Sequence, residues 1–185
     1  SMLMDKITCG IEINIIITPK PWIKHDIMTQ EELIISWSDK ILNHLLKLKE
    51  DKYSDLTFWL RKQDSERLRK GFWFQGSHYI FLGLVNKGDW KNKTRQAGLV
   101  YNFWDVENPS AHLSLAFQSE TDNATIKCYE EIASKIAGFK KNGKGNYQKV
   151  YSETDFIKVI DNFYATDWKI FKETFEKYGL SEDLI

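Results

Sequence analysis

The stretch Ala97-Gly-Leu-Val-Tyr-Asn-Phe-Trp104, followed after a turn by His112-Leu-Ser-Leu-Ala-Phe-Gln118, decides the fold class. Both segments are short runs of aliphatic, β-branched and aromatic residues bounded by turn residues, which predicts two neighbouring strands. Upstream, Gly71–Gly76 and His78–Val85 predict paired strands around a glycine turn, and Leu56–Arg61 alternates like a half-buried strand. Short strands joined by tight turns predict a curved, mainly antiparallel sheet of about five to six strands.

Three helices are expected to flank this sheet. Thr29-Gln-Glu-Glu32 has the form of a capping box, which predicts a helix from there to about Glu50. A second helix is expected from about Asn123 to Ala137. A third is expected to start after the cap at Ser152–Asp155 and to run to about Tyr178. Helices beside an antiparallel sheet make the predicted class α+β.

The 185 residues are enough for one domain. We expect residues 1–28 to form an N-terminal extension with a strand at Ile11–Thr18, and residues 29–185 to form a single α+β domain. The Lys/Gly/Asn-rich segment Gly138–Gly145 is predicted to be a loop, with a last short strand at Tyr147–Tyr151.

The net charge of zero hides an uneven distribution. From Leu56 to Trp104 there are nine Lys or Arg residues against three acids, and Gly138–Tyr151 adds four lysines with no acid. A neutral chain with these two basic stretches is expected to carry a basic face, although solvated loop lysines are the simpler alternative.

Several kinds of site are disfavoured by spacing. Gly138-Phe-Lys-Lys-Asn-Gly-Lys-Gly145 resembles a phosphate-binding P-loop, but Gly145 occupies the Ser/Thr position and the segment follows a predicted helix where a strand is required. Cys9 and Cys128 are far apart and have no metal-ligand spacing. We therefore expect no metal and no cofactor. No apolar run approaches the roughly 20 residues of a membrane span, so we expect a cytoplasmic protein without membrane contact.

The aromatic residues carry the functional prediction. Eleven of them lie between Phe58 and Trp104. Strand alternation turns neighbouring side chains to opposite faces, so Phe72, Trp73 and Phe74 cannot all point inward. Exposed rings stack on nucleobases, and nearby Lys and Arg contact phosphates, which favours nucleic acid as the ligand over a neutral small molecule.

Four stretches resemble the N-terminal DNA-binding domain of McrB-like restriction proteins. They are the aromatic strand His78–Gly83, the strand Gly98–Trp104, the Leu-x-Leu-Ala strand within His112–Thr121, and the amphipathic helix at Asp155–Phe163. The resemblance covers about two-thirds of the chain. It implies a non-catalytic module that recognises a modified cytosine, 5-methyl- or hydroxymethyl-, by flipping it from double-stranded DNA. The GTP-dependent NTPase and the nuclease would reside on other parts of a type IV restriction complex.

The same resemblance implies two sets of site residues. The base pocket would be formed by Trp73, Phe74, Tyr79, Tyr101 and Trp104. The phosphates would be held by Lys87, Lys91, Lys93, Arg95, Lys140, Lys141 and Lys144.

Three alternatives remain open at this point. The aromatic groove could bind single-stranded DNA or RNA bases. The chain could be an enzyme whose site forms from scattered residues such as His78, His112, Asp105 and Glu107. It could also be a protein-interaction domain that uses its exposed aromatic side chains.

Overall fold

A computed structural model describes residues 28–61, 65–85, 96–119 and 121–184. Its centre is a five-stranded antiparallel sheet in the order β1-β2-β3-β5-β4. The strands are β1 (Tyr79–Gly83), β2 (Gln96–Asn102), β3 (Ser110–Ala116), β4 (Phe139–Lys141) and β5 (Tyr147–Val150). With helices packed beside the sheet, this confirms the predicted α+β class and antiparallel pairing.

The first helix begins where the capping box predicts. Helix α1 spans Gln30–Asp51. The Thr29 hydroxyl accepts a hydrogen bond from Glu32 N at 3.2 Å, and the Glu32 carboxylate accepts one from Thr29 N at 2.8 Å. Two N–H groups that the helix itself cannot satisfy are thereby paired.

The other helices depart from expectation mainly at the C-terminal end. A short α2 (Glu66–Arg69) precedes the sheet, and α3 (Asn123–Lys135) matches the second predicted helix. The third predicted helix is divided into α4 (Phe156–Asn162), a π-helical turn (Phe163–Asp167) and α5 (Trp168–Lys177). The wider turn ends at Asp167, whose Oδ2 accepts a hydrogen bond from Lys149 Nζ of β5 at 3.1 Å.

One face of the sheet, here called the inner face, forms the core with the helices. Strand alternation puts Leu99, Tyr101 and Phe103 on this face, and all three are buried. The Tyr101 ring stacks on Phe156 of α4 at 4.8 Å between ring centroids and meets the edge of Trp37 of α1 at 5.0 Å. β2 is therefore the strand that joins the sheet to both helices.

Three local predictions are wrong. Gly138–Gly145 is not an open loop, because β4 lies inside it and pairs with β5 in a hairpin whose turn is closed by the Asn142 side chain accepting from Lys144 N and Asn146 N. Leu56–Arg61 forms no strand. Gly71–Gly76 contributes one isolated bridge, Gln75 to Phe81, where a full strand was expected.

Arg61 explains why Gly71–Gly76 does not form a full strand. Its guanidinium donates to the carbonyl oxygens of Phe72, Phe74 and Gly76 at 3.1, 2.9 and 3.0 Å. Because the Arg61 side chain donates to these carbonyl oxygens, they do not need the backbone N–H groups of a neighbouring strand. Burial lowers the pKa of Arg61, and the positive charge of Arg67 lowers it further.

The opposite face of the sheet, here called the outer face, carries alternating residues that point away from the core. One row across the strands contains Phe81, Val100, His112 and Val150, and Val150 is 70% exposed. In the next row Gly98 leaves room for the Phe81 ring, since a β-carbon on Gly98 would lie 2.5 Å from Phe81 Cε2 and 2.6 Å from Leu82 O. This close approach requires glycine.

We predict that Gly98→Ala destabilises the fold by about 1–3 kcal/mol, because the new methyl group overlaps both a ring and a backbone oxygen. Urea unfolding monitored by circular dichroism measures the change. Gly143→Ala is the matched control, since a β-carbon there meets nothing within 4 Å. Equal midpoints for the two variants would contradict this packing of Phe81 on Gly98.

Candidate nucleic-acid interface

Three aromatic side chains meet at the end of the sheet where β1 begins and β2 ends, and we call His78, Tyr79 and Trp104 the aromatic corner. The His78 ring lies 3.8 Å from the Trp104 ring, centroid to centroid, and 5.1 Å from the Tyr79 ring. Trp104 is 72% exposed, so much of the indole surface remains open to solvent beside its contact with His78. A large exposed indole held by a neighbouring ring is suited to stack on a planar ligand.

The backbone at the aromatic corner is held by hydrogen bonds on both sides. Trp104 N donates to Asn102 Oδ1 at 2.8 Å, and Phe103 N donates to His78 O at 3.0 Å. The turn that follows is closed by the Asp105 carboxylate, which accepts from the backbone N–H groups of Glu107 and Asn108. Hydrogen bonds from Asn108 lower the pKa of Asp105. These bonds fix the main chain of Trp104. Its indole contacts the His78 ring and is otherwise largely open to solvent.

The structure corrects part of the expected base pocket. Tyr79 and Trp104 are brought together, with His78 between them, although sequence reasoning did not assign His78 to the pocket. Phe74 and Tyr101 are 2% and 1% exposed and belong to the core. The expectation that they line an open pocket is wrong, because Tyr101 lies on the inner face by strand alternation and its hydroxyl donates to Thr154 O at 2.8 Å. Burial raises the pKa of Tyr101 to about 12, and the charge of Asp155 also raises it.

Trp73 lies apart from the aromatic corner. Its Nε1 donates to Asp39 Oδ1 of α1 at 2.6 Å, and its partly buried ring packs against the core. Trp73 therefore fastens its segment to α1. The segment Phe72-Trp73-Phe74 had suggested exposed rings, but the helix supplies a surface that covers the middle one.

The expected phosphate-binding residues fall into two groups. Lys87, Lys91, Lys93 and Arg95 lie outside the described residues. Lys140, Lys141 and Lys144 are exposed on the β4–β5 hairpin. Register places Lys140 opposite Gln148 on the outer face, whereas Lys141 has its Nζ 5.4 Å from the Tyr147 ring centroid.

The aromatic corner and Lys140 lie toward opposite corners of the outer face. Three inter-strand spacings and about six residues along the strand separate them, which corresponds to roughly 25 Å. Nucleic acid has one phosphate per about 3.4 Å along each strand. The outer face could therefore span about seven nucleotides of one strand.

Among the described residues, two cavities lie next to helix α1. The helical cleft, about 640 Å³, lies between α1 and α4 and includes Lys47, Tyr53, Tyr151 and Lys158 among its lining residues. The polar cavity, about 280 Å³, lies between the start of α1, α2 and the segment before β1. It is lined by Gln30, Glu31, Glu66, Arg67, Lys70, Phe72 and Ser77. Neither cavity contains Tyr79 or Trp104 in its lining.

The polar cavity adjoins the aromatic corner through two contacts. Gln30 Nε2 donates to the carbonyl oxygen of Phe103, the residue before Trp104, at 2.8 Å. Ser77 Oγ lies 3.0 Å from His78 Nδ1. Sequence reasoning missed Gln30 and Ser77, since Gln30 follows a helix cap and Ser77 lies in a glycine turn, and neither position carries a motif.

In the described part of the chain, no side-chain hydrogen bond links His78 or His112 to Asp105 or Glu107. The same residues include no group of three or more His, Cys, Asp or Glu side chains that could hold a metal ion.

Comparison with known proteins found no matching family model, no similar curated protein and no similar solved structure. None of the helices among the described residues is long and apolar enough to cross a membrane.

His112 provides a pH-dependent probe of the outer face. Burial lowers its pKa below the usual 6.5. The unfolded chain therefore binds a proton before the folded chain does as the pH falls below about 6.5. We predict that His112 makes the free energy of unfolding fall on acidification from about pH 7 toward pH 5, by at most about 1.4 kcal/mol per pH unit.

Urea unfolding at pH 7.5 and 5.5 measures this contribution when the protein is compared with His112→Gln. The variant is expected to lose less stability on acidification than the unchanged protein does. The same loss in both proteins would show that His112 titrates as it does in the unfolded chain.

Proposed function

We propose that the chain is a non-catalytic DNA-binding domain that recognises a 5-methyl- or hydroxymethyl-cytosine. It would serve as the targeting module of a GTP-dependent type IV restriction system, whose NTPase and nuclease parts lie elsewhere. The observation that carries the nucleic-acid assignment is the exposed indole of Trp104, held against His78 and beside Tyr79.

Stacking supplies the energy that this function needs. One aromatic ring stabilises a stacked base by roughly 1–3 kcal/mol. Flipping a base out of a duplex costs a few kcal/mol. Stacking on Trp104 offsets part of that cost, and binding of the phosphates contributes the rest.

Charge on the outer face supports the same assignment. Lys140 is exposed there, and no carboxylate among the described residues forms an ion pair with it. Lys144 projects from the adjacent hairpin turn and is also exposed. Contacts from such residues to phosphates position a strand without reporting its sequence.

The preference for a modified cytosine follows from the resemblance to McrB-like DNA-binding domains. Tyr79 and Trp104, two of the residues that the resemblance assigns to the base pocket, lie at the aromatic corner. A methyl or hydroxymethyl group enlarges the surface of the cytosine that a ring covers, which increases the stacking contact.

A single-stranded DNA or RNA reader is the second candidate, and one observation favours it. Trp104 lies on the open surface and not inside an enclosed cavity. Unpaired bases can stack on an open sheet surface without the cost of extrusion.

We predict that Trp104→Ala weakens binding of a duplex containing one 5-methylcytosine by about 5- to 150-fold, the equivalent of losing one stacked base. Fluorescence anisotropy of labelled duplexes measures the affinity. Leu46→Ala is the matched control, since Leu46 is an apolar side chain half exposed on α1. If Trp104→Ala and the unchanged protein bind the duplex with equal affinity, Trp104 does not stack on a base.

The same titrations with unmodified duplex and with single strands separate the two candidates. Tighter binding of modified than of plain duplex supports the modified-cytosine function. Equal binding of both duplexes, with tighter binding of single strands, supports the second candidate. If none of the three binds, the nucleic-acid assignment is wrong.

We predict that Lys140→Gln weakens binding of all duplexes by a similar factor and reduces the slope of log affinity against log salt by about 0.9, because one phosphate contact is lost. Lys169→Gln is the control, since Lys169 is exposed on α5 and pairs with Glu173. Titrations between low and moderate salt measure the slope. Loss of discrimination between modified and plain duplex, with the slope unchanged, would contradict the phosphate role.

A further inference from the structure

The polar cavity is large enough to hold a nucleobase. Its volume of about 280 Å³ equals the liquid volume of roughly nine waters. A pyrimidine base occupies less than this volume, because its covalently bonded atoms lie closer together than separate water molecules do.

The walls of the cavity offer both a hydrogen-bond acceptor and hydrogen-bond donors. Gln30 uses its amide nitrogen on Phe103 O, which leaves its Oε1 as the atom that can accept from a ligand. Arg67 spends one donor on Gly76 O at 3.0 Å, and a guanidinium has five N–H donors, so others remain. The Ser77 hydroxyl can both donate and accept.

The remaining charges at the cavity are already paired. Lys70 Nζ lies 2.9 Å from Glu66 Oε1 and 3.6 Å from Glu31 Oε1. This cluster joins α1 to α2, and together with the Arg67 guanidinium its charges cancel, so the cavity has no net positive charge to attract a phosphate. The Arg67 guanidinium lies 5.4 Å from the centroid of the Phe72 ring, and Phe72 supplies an apolar wall. A flat, neutral ligand with a polar edge matches these walls better than an ion does.

We infer that the polar cavity accepts one amino-bearing nucleobase, cytosine or adenine, from nucleic acid bound at the aromatic corner. The exocyclic amine would donate to Gln30 Oε1, and the neighbouring ring nitrogen would accept from Arg67 or Ser77. The adjacent base in the same strand would stack on Trp104, which follows the carbonyl that Gln30 holds. This inference rests on the proposed function, and it moves the base pocket from the core residues Phe74 and Tyr101 to the space between α1 and α2.

The experiment blocks the cavity with a larger side chain and measures the fluorescence of a base analogue in the bound duplex. Ser77→Phe projects a ring into the space. The target position of a duplex carries 2-aminopurine, an amino-bearing base whose fluorescence rises when it leaves the stack. Gln75→Ala is the matched control, because Gln75 is exposed two residues before Ser77 and does not line the cavity.

The unchanged protein and Gln75→Ala are expected to raise the 2-aminopurine fluorescence, and Ser77→Phe is expected to abolish the rise while it still binds plain duplex. The milder variant Gln30→Ala keeps the cavity open. It is expected to reduce the preference for cytosine over thymine at the target position by at least about fivefold, the smallest effect of one lost base contact. Urea midpoints of the variants establish that each one folds.

The outcomes distinguish the cavity from the proposed function. If Ser77→Phe and Gln30→Ala bind and discriminate like the unchanged protein, while Trp104→Ala does not, the cavity inference is overturned and the proposed function stands. If no protein in the set binds any oligonucleotide, the proposed function fails first. A third outcome is that single strands bind only when Gln30 and Ser77 are unchanged, while 2-aminopurine fluorescence in duplex does not rise. That outcome would identify an unpaired base as the occupant of the cavity.

Discussion

The packing of the Tyr101 ring is the contact on which the arrangement of the molecule depends. It stacks on Phe156 of α4 with an angle of 3° between ring planes, meets Trp37 of α1 edge-on, and lies 4.7 Å from Phe103 on its own strand. Because its hydroxyl also donates to Thr154 O, the ring is held at its polar end as well. Once Tyr101 and Phe103 face inward, strand alternation turns Asn102 and Trp104 outward. The core therefore decides which indole is open to solvent.

Arg61 has a corresponding role for the segment before β1. One guanidinium satisfies three carbonyl oxygens that would otherwise need a strand beside them. The 72–76 segment then lies as an extended connection between α2 and the aromatic corner. Ser77 and His78 begin where this connection ends, and so the polar cavity and the stacking rings are neighbours. Arg61, which the charge pattern counted toward a basic face, therefore stabilises the fold by binding backbone carbonyl oxygens.

Periodic and capped elements could be predicted from the sequence because their signals are local. The capping box at Thr29, the strand alternation around Tyr101 and the helix at Asn123 all appear where the pattern places them. The failures share a different cause. The full strand expected at Gly71–Gly76 depended on a neighbouring strand whose place the Arg61 guanidinium takes. The turn at Phe163–Asp167 widens where Asp167 meets Lys149. Both depend on contacts between distant residues, which no local pattern contains.

The candidate site was also predictable only in part. Tyr79 and Trp104 were selected through the resemblance to McrB-like domains, and the structure places both at the aromatic corner. Their neighbours Gln30 and Ser77 could not be selected, because they reach the site by hydrogen bonds to Phe103 and His78 that the fold alone creates. Phe74 and Tyr101 were also assigned to the pocket through the resemblance. Their rings are buried in the core, so they do not line an open pocket.

The three-residue strand β4 has a consequence for how copies of the molecule meet. An edge strand presents unpaired N–H and C=O groups to which another sheet can add, and long flat edges promote aggregation. Here the edge is brief and carries Lys140 and Lys141, whose charges repel a second copy of the same edge. The two lysines that we propose as phosphate contacts thus also disfavour assembly of copies of the protein through this edge of the sheet. Neutralising both lysines would remove that protection.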